Sequence, residues 1–184
     1  GIRKSGACLL GELAFGDTAV IATLGRLVAE DDMRDVRCTA LNALGRIARY
    51  QLSQNPAFEL SGIIDALTVG SDRAREPDMQ GFVLATSTVR QSTAIALLNI
   101  VTAAIDAGAA RDAIAPIATI LQRMATSDTD RYARGTAVEG LCRLALGSED
   151  SMLPTLIEQL SAQYAHTPPA RLMDSPVDQR IARD

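Results

Sequence analysis

The chain has 184 residues, 47% hydrophobic and 22% charged, with 3% aromatic residues and no tryptophan. This is long enough to bury a continuous core, and that core must be Ala, Leu, Ile and Val in closely packed helices. A net charge of −4 with a pI near 5.0 argues against a dedicated nucleic-acid binder. The lack of an 18-residue apolar run or an opening signal sequence argues against a membrane protein.

Residues 1–15 read as a helix. Asp17 or Thr18 then caps a second helix, whose stripe of Val20, Ile21, Leu24, Leu27 and Val28 runs to about Glu30. Asp31 and Asp32 form a turn. From Asp35 to Arg49, Val36, Ala40, Leu41, Leu44, Ile47 and Ala48 fall on one side of a helix. Asn55-Pro56 predicts the next helix start, an Asn cap followed by Pro at the first helical position, with a stripe from Phe58 to Leu67 ending near Val69-Gly70. The polar stretch 71–80 reads as a solvent loop or as a binding loop, since functional residues often sit on loops held by a rigid scaffold. Further helices follow around Arg90, through Ile114–Met124 with Pro116 near the start, around Arg134, and through Leu153–Leu160.

Four of these helices share one pattern, anchored on Arg3, Arg37, Arg90 and Arg134. One residue before the Arg stand Ile2, Val36, Val89 and Ala133. Seven after it stand Leu10, Leu44, Leu97 and Leu141, and ten after it Leu13, Ile47, Ile100 and Leu144. The Arg-to-Arg intervals are 34, 53 and 44 residues (37 less 3, 90 less 37, 134 less 90). Periods in this range mean stacked units, each burying its apolar face on its neighbours. Helices without the Arg (A) alternate with helices that carry it (B).

The D-V-R-C-T-A-L-N-A-L-G-R-I stretch at 35–47 and its degraded copy at 130–144 resemble HEAT-repeat proteins, in particular the HEAT-like repeats of bilin lyases. The resemblance implies an all-α fold, an α-solenoid of stacked antiparallel helix pairs of HEAT/armadillo-like type. It implies an array over 1–165 of about four repeats, the first truncated and the last either truncated or complete. Residues 166–184 are a Pro-containing tail or the opening of a further repeat, since Asp178, Arg180 and Ile181 resemble a B-helix start. The resemblance also implies that Arg3, Arg37, Arg90 and Arg134 lie at turns and pair with acids of the same or next repeat. Asp35 and Asp130 are well placed for such a ladder, and Asp31 or Asp32 could serve. That structural reading outweighs an anion-binding one.

Enzyme signals are absent: no Gly-rich phosphate loop, no nucleophile elbow, no paired carboxylates at a plausible pocket. His166 is alone and cannot build a multi-histidine metal site. Cys8, Cys38 and Cys142 are odd in number, hold no shared position and fit small buried residues of a reduced, cytoplasmic protein. Neither a metal nor a cofactor is expected. The B-helix positions outside the apolar stripe vary from copy to copy. Asn42, Arg46, Arg49, Asn99, Glu139 and Arg143 are therefore the candidate binding residues, on the side that lines the concave face in this kind of array. The expected function is a non-catalytic scaffold for a protein or peptide partner, alone or within a larger repeat array or complex. The alternative is an accessory subunit of a bilin-lyase-like chromophore-transfer enzyme.

Overall fold

In the computed structural model, residues 1–13, 16–72 and 88–147 are described, all within a first compact unit, Gly1–Glu149. They form seven α-helices and no strand: α1 Ile2–Leu13, α2 Thr18–Glu30, α3 Arg34–Gln54, α4 Ser61–Asp72, α5 Val89–Ala107, α6 Arg111–Ser127 and α7 Arg131–Leu146. The protein is all-α over these residues. None of these helices is long and apolar enough to cross a membrane. The expected helix at Leu153–Leu160, His166, the tail 166–184 and most of the 71–80 stretch lie outside the described residues. Ser71 and Asp72 belong to α4.

Local chemistry sets the helix ends. Asp17 caps α2, its Oδ1 accepting the Ala19 N–H at 2.6 Å. Thr88 caps α5 through the Gln91 N–H, and Gly108 ends that helix at φ 67°, a conformation that glycine adopts without steric cost. The expected start at Asn55-Pro56 is corrected. Asn55 instead ends α3, its N–H bonded to Gln51 O at 2.8 Å, while its side chain accepts the Ala57 N–H. The side chain that would have capped a helix closes a turn, and α4 begins five residues beyond Pro56, at Ser61. Pro116 is the sixth residue of α6 and does not interrupt it.

The helices pack in two series. The Arg-bearing helices follow one another, α1 on α3, α3 on α5 and α5 on α7. The others do likewise, α2 on α4 and α4 on α6, and each packs on the Arg-bearing helix that follows it. α3 therefore has neighbours on most of its circumference. Its stripe residues Leu41, Leu44, Ile47 and Ala48 are fully buried, and Ala43, Gly45 and Leu52 are buried too. Burying each large aliphatic side chain stabilises the fold by about 1.5–3 kcal/mol.

Small residues let these helices approach closely. A Cβ added at Gly11 would lie 2.7 Å from Ala43 Cβ and 2.8 Å from Ala43 Cα. One at Gly45 would lie 3.0 Å from both Cα and Cβ of Ala96. Gly11 and Gly45 share one position, eight after the Arg; Ala43 and Ala96 share another, six after it. Two of the stacking contacts are thus the same contact repeated. Gly135, in contrast, has nothing within 4 Å of such a Cβ. Gly11→Ala and Gly45→Ala should each destabilise by about 1–3 kcal/mol through overpacking against backbone. Gly135→Ala should stabilise by about 0.5–1 kcal/mol through helix propensity. Urea unfolding followed by circular dichroism reads all three, and equal effects would refute the close-contact account.

Candidate interaction face and the arginine ladder

The four anchor arginines lie where one B helix meets the turn that opens the next. Arg3 Nη1 pairs with Asp31 Oδ2 at 3.2 Å, and Arg90 Nε pairs with Asp128 Oδ1 at 3.3 Å. The second pair is buried, with 9% and 4% of the side chains exposed. Arg37 Nη1 donates to the carbonyls of Asp31 (2.7 Å) and Asp32 (3.2 Å), and Arg134 Nη1 donates to the carbonyl of Asp128 at 2.9 Å. Asp31 and Asp128 therefore act in two directions. Each offers its carboxylate to the Arg of the preceding B helix and its carbonyl to the Arg of its own. Each also closes its turn, accepting from Met33 N–H and Asp130 N–H respectively.

The carboxylates in these contacts are thus Asp31 and Asp128, six residues before Arg37 and Arg134, and not the better-placed-looking Asp35 and Asp130. Asp35 lies inside the first turn of α3 and pairs with Lys4 at 3.2 Å, both about half exposed. Asp130 is the N-cap of α7. Its carboxylate accepts the Tyr132 and Ala133 N–H groups, the Thr88 hydroxyl at 2.9 Å and the Gln91 amide at 3.0 Å. It ties the start of α5 to that of α7 without meeting a guanidinium through its side chain. The signal that finds the right acids is their shared place six residues ahead of an anchor Arg.

The two neighbouring carboxyls shift in opposite directions. Burial pushes Asp128 above its ordinary value of 3.8, and the Asp130 N–H and the Arg90 charge offset this only in part. Burial works on Asp130 in the same sense, but hydrogen bonds from Ala133, Thr88, Tyr132 and Gln91 together outweigh it and leave the group below 3.8.

The variable positions of α1, α3, α5 and α7 are mostly uncovered. Cys8, Asn42, Ile95 and Glu139, five after each Arg, are all exposed. Cys8 is thereby not the buried residue expected, whereas Cys38 is buried. At nine after, Glu12, Arg46 and Arg143 are exposed and Asn99 is partly covered. Arg46 forms an ion pair with Glu12 across the α1–α3 contact. Arg143 pairs with Glu139 at 3.0 Å and donates to Thr102 on α5 at 3.2 Å. Two of the three candidate cations are thus already engaged. Arg49 is exposed, and neither it nor the Asn42 and Asn99 carboxamides have a hydrogen-bonding partner among the described residues. Ile95 and Leu146 add apolar surface, 41% and 77% exposed.

Concavities lie elsewhere. A largely apolar groove of about 330 Å³ runs between α4 and α6, lined by Ile64, Thr68, Pro116, Thr119, Ile120 and Arg123. The charged residue of this lining, Arg123, is held by Asp72 and Ser71. Among the described residues no group of three or more His, Cys, Asp or Glu could hold a metal ion. No protein-family model, curated protein or solved structure matches this chain.

Asp128→Ala removes the carboxylate from a buried guanidinium and should cost about 3 kcal/mol, whereas Asp35→Ala, at an exposed pair, should cost no more than about 1 kcal/mol. Denaturant melts of the two variants distinguish them. The lowered Asp130 stabilises the fold at pH values above 3.8, and this contribution is lost as pH falls through its folded-state value. Raised Asp128 runs the other way: its ionisation opposes folding above 3.8. The stability gap between wild type and Asp130→Asn should therefore narrow as pH is lowered from about 6 to about 3. A constant gap would show that the charge on Asp130 contributes nothing.

Proposed function

We propose that the chain is a HEAT-like α-solenoid acting as a non-catalytic scaffold, which holds a protein or extended peptide along the concave face lined by its B helices. Two helix series, one carrying the recurring Arg, are what stacked antiparallel pairs produce. Three free cysteines, Cys8, Cys38 and Cys142, fit a cytoplasmic setting.

The observation that carries the reading is a contrast between positions. One before and seven after the Arg, the helices α3, α5 and α7 keep apolar residues buried. Five and nine after it, the same helices present Asn42, Ile95, Glu139, Arg46, Asn99 and Arg143, mostly to solvent. Packing constrains the first set and leaves the second free to be chosen for recognition. Arg49, the two carboxamides and Ile95 together offer a charge-assisted donor, backbone-reading amides and an apolar contact. Such a mixture suits an extended chain better than a small molecule, which needs an enclosed pocket.

Affinity capture from the source lysate, with crosslinks mapped to residues, tests this. A partner should crosslink along α3 and α5 and be lost at least tenfold by Asn42→Ala/Arg49→Glu/Ile95→Glu. It should be retained by Thr119→Glu on the α4–α6 side. Arg49→Glu alone should weaken capture more than Arg46→Glu or Arg143→Glu, because Glu12 and Glu139 already occupy those two guanidinium groups. Retention by the triple variant overturns the assignment.

A further inference from the structure

We propose that α5 is a hinge line, about which the α6–α7 pair rolls as one body to open and close the groove between α4 and α6. The contact that fixes the preceding helices does not recur at this junction. α1 meets α3 and α3 meets α5 with a glycine eight after the Arg, Gly11 and Gly45, set against Ala43 and Ala96. Eight after Arg90 stands Leu98 instead, and it is partly exposed. Six after Arg134, at the position of those alanines, stands Gly140. A Cβ added there would meet the Leu121 side chain of α6 at 3.0 and 3.3 Å, with no α5 backbone among its three nearest atoms. Gly140 thus serves the fit of α7 on α6 and not the stacking of α7 on α5.

The other series changes at the same level. α2 and α4 pack directly, a Cβ at Gly25 lying 3.6 Å from Ala66 and one at Gly62 lying 3.2 Å from Ile21. Between α4 and α6 the groove of about 330 Å³ takes the place of such contacts, along Ile64, Thr68, Pro116 and Ile120. Arg123 reaches across to Asp72 and Ser71. Arg123 and Asp72 are both about half exposed, so solvent screens the pair and it resists little when stretched. The close contacts that hold the earlier helices are therefore missing in both series at once.

The tethers of the pair lie at the two ends of α5, and this sets the axis. At its start, Arg90 forms its buried pair with Asp128, while Thr88 and Gln91 donate to the Asp130 carboxylate. At its end, only Gly108, Ala109 and Ala110 separate α5 from α6, and a Cβ at Gly147 would lie 3.2 Å from Ile105. Between the ends, Arg143 and Thr102 join α7 to α5 through two side chains. Side chains turn to follow a small roll, whereas backbone packed on backbone blocks it. α6 and α7 stay together, packed on each other with Leu121 fully buried over Gly140. A roll about this axis moves α6 relative to α4 and leaves the Arg90–Asp128 pair intact. For a segment held along the B helices, as proposed above, the same roll changes the spacing of Asn99 on α5 from Glu139 on α7.

Double electron–electron resonance of the full chain without any ligand tests the hinge, so its failure is separate from failure of the binding proposal. Spin labels are placed on cysteines in a Cys8→Ser/Cys38→Ala/Cys142→Ser background. Asp65→Cys with Ala115→Cys spans the groove, and Ala22→Cys with Asp65→Cys spans α2 and α4; all three sites are exposed. The distance distribution across the groove should be at least about twice as wide as that between α2 and α4. Thr68→Leu/Thr119→Leu fills the groove and should narrow the first distribution to about the width of the second, with the second and the circular dichroism spectrum unchanged. Equal widths in the unfilled protein, or a filled groove with a distribution as wide as before, would overturn the proposal. Narrowing of both pairs to the same degree would overturn it too, since it would show general stiffening with no hinge at α5.

Discussion

The contact on which the described structure depends is the near-touching of B-helix backbones at Gly11–Ala43 and Gly45–Ala96. With a hydrogen atom on one side and a methyl group on the other, the helices approach until Cβ-sized space is gone. That spacing decides what can surround them. Leu44, Ile47, Leu97 and Ile100 are brought to full burial within this packing. The residues between, having no neighbour to satisfy, are left in water. Interiors packed at crystal-like density transmit such a constraint from one helix to the next, which is why one repeated contact sets the pattern of buried and exposed positions along α3 and α5.

The turns add a second, electrostatic tie. Asp31 and Asp128 each bind the preceding Arg-bearing helix through the carboxylate and the following one through the carbonyl, so each turn joins two of these helices. The arrangement also meets the cost of a guanidinium with little solvent, since Arg37 and Arg90 are both 8% exposed. Carbonyls and carboxylates supply part of the acceptors that water would have given. Neutral carbonyl acceptors have a further consequence: part of the junction holds without a charge that pH could remove.

The two helix series differ in the surface they offer. Among the described residues, the α4–α6 side has a groove whose charged residue, Arg123, is already engaged, while the Arg-bearing helices expose Asn42 and Arg49 and partly cover Asn99, none with a hydrogen-bonding partner. The ion pairs Glu12–Arg46 and Glu139–Arg143 engage two of the cations that sequence reading left open. They leave a smaller and less charged exposed face.

The helices themselves were legible in the sequence because their information is local. The period of Val36, Leu44 and Ile47, the cap at Asp17 and the stop at Gly108 act within a few residues, and the four Arg-anchored stripes repeated that signal. Tertiary structure decided the rest. Asn55 caps nothing downstream because α3 extends to Gln54 and takes Asn55 as its end. Asp35 and Asp130 look placed for arginine by distance along the chain, yet helix geometry points Asp35 to Lys4 and makes Asp130 a cap shared with Thr88 and Gln91. Which cations stay available depended on side chains 34 and 41 residues away, Glu12 for Arg46 and Thr102 for Arg143. The sequence determined periodic burial, which is a property of one helix. Only packing decided pairing, because a hydrogen bond or ion pair needs two groups within about 3 Å, and that proximity is created by the neighbouring helix.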